Sequence, residues 1–141
     1  MSKYKIIEVV KKADKETQSL YNIDNRIEAI AKARNDYGAA VKDETVLSVY
    51  TLVLDNENGS KVDGYYWSSA DTGLIKSRVY THNDYEDDNI APYDSERLAI
   101  GNFATKSASA MNNTSCNFAL TIRLNSMGNV VDFDLFNREA E

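Results

Sequence analysis

Val46-Leu47-Ser48-Val49-Tyr50-Thr51-Leu52-Val53-Leu54, then Asp55-Asn56-Glu57-Asn58-Gly59, then Val62-Asp63-Gly64-Tyr65-Tyr66-Trp67 is the stretch that decides the fold. A β-branched and aromatic run, a Gly/Asn cluster of hairpin length and a second aromatic run predict two antiparallel strands turning at 55–60. The pattern returns as Phe118-Ala119-Leu120-Thr121-Ile122-Arg123-Leu124, a turn over 125–129, and Val130-Val131-Asp132-Phe133-Asp134-Leu135-Phe136. Alternation on the later strand groups Phe118, Leu120, Ile122 and Leu124 against Ala119, Thr121 and Arg123, the mark of a half-buried strand.

Before each hairpin the hydrophobic period changes from 2 to 3.6. Ile27, Ile30, Ala31, Arg34, Tyr37, Gly38 and Val41 share one side of a helix, and Asn25 with Glu28 has capping-box spacing, so a helix is expected over 25–42. Ile100, Phe103, Ala104, Ser107, Ala108 and Met111 make the stripe of a second, over 95–112. Tyr4-Lys5-Ile6-Ile7-Glu8-Val9-Val10 and Leu74 to Thr81 read as strands, and His82 to Asp94, with the one proline, Pro92, as an exposed loop. Setting Asp24 on Asp94 aligns Ile30 with Ile100, Val41 with Met111 and Leu54 with Leu124. The expected architecture is therefore α+β: one domain of two strand-helix-strand-strand units, about 1–70 and 71–141, forming a mainly antiparallel sheet with two helices on one face.

The 141 residues carry 22 acidic and 16 basic side chains. The first seventy are nearly balanced, and the excess belongs to the second half, in Asp84, Glu86, Asp87, Asp88, Asp94 and Glu96. Such a surface repels nucleic-acid phosphate and anionic lipid and attracts a basic protein. Cys116 is the single cysteine, so no internal disulfide forms, and no run of about 18 apolar residues exists; a cytoplasmic protein is expected. His82 among Asp84, Glu86, Asp87 and Asp88 has no second histidine or cysteine near it and no loop glycine, so neither a transition metal nor calcium is expected. Cys116 reads as a structural thiol, and Asp132 and Asp134 read as the outward polar face of the last strand. No catalytic residue, cofactor or metal ligand is assigned, and an enzyme is not expected.

Tyr65-Tyr66-Trp67 cannot all face one core if the segment is a strand. Tyr65 and Trp67 point one way and Tyr66 the other, and an exposed aromatic of this kind is an interface anchor. Leu47, Val49 and Val53 are apolar where their counterparts Asn117, Ala119 and Arg123 are polar or small. Either a second layer covers that face or it is a contact surface, and the latter leads to a homodimer.

The N-terminal Tyr-Lys-Ile-Ile-Glu-Val-Val strand, the amphipathic helix, and Val49 to Gly59 closing in Gly64-Tyr65-Tyr66-Trp67 resemble small proteins of phages and mobile elements in low-GC bacteria, over about residues 4–67. These are similar in type to inhibitors of bacterial defence systems, including anti-CRISPR proteins. The resemblance implies a non-enzymatic inhibitor that occupies a basic surface of a host protein, such as a nucleic-acid-binding effector, without touching nucleic acid or membrane itself. Asp84, Glu86, Asp87, Asp88, Tyr65, Tyr66 and Trp67 are the expected partner-binding residues. The alternative is a protein that binds or sequesters a nucleotide-like small molecule, held between the units or at a dimer seam.

Overall fold

The computed structural model describes residues 3–69, 77–83 and 89–138. It contains β1 (Tyr4–Lys12), β2 (Glu16–Ile23), α1 (Arg26–Lys42), β3 (Val46–Asp55), β4 (Lys61–Ser68), β5 (Ser77–Asn83), β6 (Asn89–Tyr93), α2 (Glu96–Asn112), β7 (Phe118–Leu124) and β8 (Val130–Asn137). The α+β architecture and its antiparallel pairing are as read from the sequence. In place of the one shared sheet expected, the strands divide between two four-stranded sheets of identical topology, β2-β1-β3-β4 and β6-β5-β7-β8, because each unit supplies four strands of its own and is strand-strand-helix-strand-strand.

Two strands were not expected. β2, Glu-Thr-Gln-Ser-Leu-Tyr-Asn-Ile, pairs with β1 through a turn closed by Lys12 N–H donating to Lys15 O at 2.8 Å. It is an edge strand, mostly exposed along its length, and therefore shows no alternation to read. β6 falls inside the stretch taken for a loop and contains Pro92, which an edge strand tolerates because the missing N–H costs no ladder bond.

The helix ends follow local chemistry. Asn25 caps α1, its Oδ1 accepting from Glu28 N–H at 3.0 Å. Each late hairpin turns on matching chemistry: Asp55 Oδ1 accepts from Glu57 N–H at 2.8 Å and Asn125 Oδ1 from Met127 N–H at 3.0 Å. Gly59 and Gly128 then take the positive φ of 73° and 88° that each turn requires.

Each helix lies on one face of its own sheet, and the helices pack against one another. They cross where Gly38 meets Gly101. A Cβ on Gly101 would sit 2.7 Å from Gly38 O, and one on Gly38 would press on Gly101 O and the Thr105 methyl. Gly38→Ala gains about 1 kcal/mol of helix propensity but forces two backbones apart, an overpacking strain of up to about 3 kcal/mol. Chemical denaturation is expected to show a net loss of about 2 kcal/mol; an unchanged midpoint would mean that the helices separate freely at this crossing.

The core repeats with the topology. Val41, Val46, Val49 and Trp67 pack with Ala104 from the second unit. At the corresponding positions Met111, Cys116, Ala119 and Phe136 pack with Ile30 and Ala31 from the first. Each unit thus completes its core with residues of the other. Val49 and Val53 are buried under α1, so a second layer accounts for the apolar character of that face, and only Leu47 of the three is exposed.

The face assignment of β7 is the reverse of a core strand's usual pattern. Ala119 and Thr121 are buried and Arg123 reaches Glu96 of α2 at 3.1 Å, so the small and polar side chains face the helix. Phe118, Leu120, Ile122 and Leu124 occupy the outer face. Asp132 and Asp134, taken for outward acids, point to the helix side, and Phe133 and Leu135 point out. The space beneath α2 is filled by Phe103 and Met111 of the helix and Phe136 of β8, and β7 turns its small side chains toward them.

Candidate functional site

On the outer face of the first sheet the hairpin register sets Tyr50 directly opposite Tyr66 and Leu52 opposite Gly64. Tyr66 is 62% exposed and Tyr50 46%. Between them lies a notch of about 170 Å³ lined by Tyr50, Thr51, Leu52, Lys61, Gly64, Tyr65 and Tyr66. Gly64 creates it: a Cβ there would come within 3.0 Å of Lys61 Cε and 3.3 Å of Leu52 Cδ1. Ile7 and Val9 on β1 and the exposed Leu20 on β2 extend this apolar face, which no described element covers.

Of the three consecutive aromatics, Tyr66 alone is open to a partner. Trp67 is 4% exposed, with the Arg97 guanidinium 4.6 Å from its ring centroid. Tyr65 is partly buried and stacks on Tyr37 of α1 at 5.0 Å. Burial pushes the Tyr65 phenol up and raises that of Tyr37 to about 12, so both remain protonated donors at neutral pH. The strand therefore presents its even-numbered side. Asp84, Glu86, Asp87 and Asp88 lie outside the described residues.

A second feature lies at the seam between the units. Arg34, on the helix stripe, donates from Nε to Asp63 of β4 at 3.2 Å and from Nη1 to Asp134 of β8 at 2.6 Å and Ser107 of α2 at 2.6 Å. Ser107 Oγ in turn donates to Asp134 at 2.7 Å. One guanidinium so ties an edge strand of each sheet to both helices. Beside it opens a cleft of about 490 Å³ lined by Arg26, Ile27, Ile30, Arg34, Met111, Leu135, Phe136 and Asn137.

Two further arginines close the ends of the helices in parallel ways. Arg97 donates to Val41 O, Asp43 O and Val46 O while stacking on Trp67. Arg138 donates to Met111 O, Asn113 O and Cys116 O while lying 5.0 Å from the centroid of Phe136. Each satisfies carbonyls that a helix C-terminus leaves without intrahelical partners.

Glu8, on the helix side of β1, is nearly buried beside Lys32 and Asp36, which pair at 3.0 Å. Burial, a hydrogen bond to Asp36 and the Asp36 charge raise its carboxyl to about 8, against the opposing pull of Lys32. Among the described residues no group of three His, Cys, Asp or Glu side chains converges as metal ligands would, and no helix is long and apolar enough to cross a membrane.

Tyr50, Gly64 and Lys61 were not singled out by composition or motif. A plain count back from a turn at 55–60 sets Tyr50 against Tyr65; the β-bulge between Val53 and Leu54, which no residue pattern announces, shifts the register by one and brings Tyr50 opposite Tyr66 and Leu52 opposite Gly64. Comparison with family models, curated proteins and solved structures finds no match for the chain.

Proposed function

We propose that this chain is a non-enzymatic binding protein, a phage-type inhibitor that occupies a surface of a basic, nucleic-acid-binding host protein. The observation that carries the reading is the exposed Tyr50–Tyr66 pair beside the Gly64 notch. Rigid amphipathic rings flanking a socket are what a protein interface uses as anchors. The formal charge of -6 attracts a basic partner at long range, and salt weakens that attraction. At close range Lys61 at the notch, with Lys5 and Lys11 on the same face, calls for carboxylates or main-chain carbonyls at the partner's contact patch, so the long-range attraction comes from the acidic remainder of the chain.

The test is affinity capture from host lysate followed by binding kinetics on the captured protein. Tyr66→Ala is expected to weaken binding by about 2 kcal/mol, roughly thirtyfold, mainly through faster dissociation. Its exposure makes the same change nearly neutral for folding, which a denaturation curve checks. Undiminished capture by Tyr66→Ala and Tyr50→Ala would remove the anchor role. Retention of a labelled single-stranded oligonucleotide instead would move the face from protein to nucleic-acid recognition.

The seam cleft favours a second reading, an anionic small molecule of nucleotide type held beside Arg26 between apolar walls. A thermal shift with a nucleotide panel that disappears in Arg26→Ala would support it.

A further inference from the structure

The outer face of the second sheet is a second, chemically different surface. Phe133 is 65% exposed and Leu135 59%, with Val130 also exposed. Register sets Phe133 opposite Ile122, Leu135 opposite Leu120 and Val130 opposite Leu124, so these side chains form one apolar sheet of rows with Phe118 at its end. Among the described residues no element covers it, and it carries no carboxylate; Arg78, opposite Leu124, is its charged member. Asp132 and Asp134 are turned to the other side.

From this we infer that the face is closed by a second copy of the same chain, the two β5–β8 sheets stacking face to face about a twofold axis. Charge decides between the two outer faces. Two chains of like net charge meet most readily where the surface is close to neutral, which this face is among the described residues. The Tyr50–Tyr66 face has Lys5, Lys11 and Lys61 on its own side against the single carboxylate of Glu16, a net positive charge that would repel itself. Area agrees. With aromatic side chains of roughly 150–250 Å², the seven apolar residues leave on the order of 500 Å² open per chain, and backbone and rim bring this near the roughly 800 Å² per partner of a stable interface. Sheets stack at a spacing of about 10 Å with interdigitating side chains, and a self-complementary contact closes as a dimer without propagating. This inference is independent of the proposed function: the dimer leaves both Tyr50–Tyr66 faces open, presenting two copies of that site.

Sedimentation of the full chain over the micromolar range tests it. The wild type is expected to run as a dimer, and the pair Phe133→Asp and Leu135→Asp to raise the dissociation constant at least a hundredfold, giving a monomer with an unchanged circular dichroism spectrum. Tyr66→Asp is expected to remain dimeric. Leu135→Cys should be trapped as a covalent dimer under mild oxidation, since Cys116 is buried. A wild-type monomer throughout the range would overturn the inference. So would a dimer that survives both aspartates, or one dissolved by Tyr66→Asp.

Discussion

Arg34→Met is expected to lower the unfolding free energy by about 3–5 kcal/mol, the range for breaking a buried ion pair from one side. The loss does not come from packing, since methionine fills most of the arginine stem. It comes from Asp63 and Asp134, which are left mostly buried without the cation that both contact through a single guanidinium. Ser107 keeps its bond to Asp134 but cannot neutralise it. A triple variant, Arg34→Met with Asp63→Asn and Asp134→Asn, should recover most of the stability, because neutral amides need no counter-ion. Urea denaturation of the two variants and the wild type checks this. A single-variant loss under about 1 kcal/mol, or no recovery in the triple variant, would show that the network contributes little beyond its volume.

Glu8→Gln is expected to act in the opposite direction and to depend on pH. The folded-state pKa of about 8 lies above the ordinary carboxyl value of 4.5, so the native state holds the proton more tightly than the unfolded chain. Its contribution is therefore fully present below pH 4.5 and is lost as pH rises through 8. At about 1.4 kcal/mol per pKa unit, the wild type should lose about 3–5 kcal/mol across that window from this group alone. Glutamine is neutral at every pH and can still donate to Asp36. The two proteins should match near pH 4.5, and the variant should be the more stable at pH 8.5 by most of that amount. Taking the difference between wild type and variant at each pH removes the contributions of other groups. Parallel curves would place Glu8 in a hydrated setting.

The helices and late hairpins were legible because each announces itself locally: a switch of period, an Asn25–Glu28 cap, a glycine where φ turns positive. β2 and β6 were not, for a shared reason. Both are edge strands, one exposed on both sides and the other carrying Pro92, so neither leaves an alternating trace. Which face of β7 is covered was also hidden. Alternation shows that two faces differ, and the natural inference buries the larger residues. Here Phe103, Met111 and Phe136 fill the space beneath α2, Ala119 and Thr121 complete it, and the larger residues of β7 remain outside. The same effect separates Tyr66 from Tyr65 and Trp67. Their opposition was readable from the strand period, but its sign depended on where α1 lies. Arg34 was legible only as a member of an apolar helix stripe; its partners are 29, 73 and 100 positions away in the chain.

The two arginine closures have a consequence for how the chain matures as it leaves the ribosome. The carbonyls at the end of α1 are closed by Arg97, and Trp67 is covered by that same side chain together with Ala104, both carried by α2. The amino-terminal sheet can pair its strands as soon as residue 68 has emerged, but it cannot finish its hydrophobic interior until some forty further residues have followed. Nascent chains stalled between these lengths display an uncapped helix and an open indole. Because Trp67 is the one tryptophan in the sequence, its emission marks the moment at which the later half docks and the earlier half is sealed.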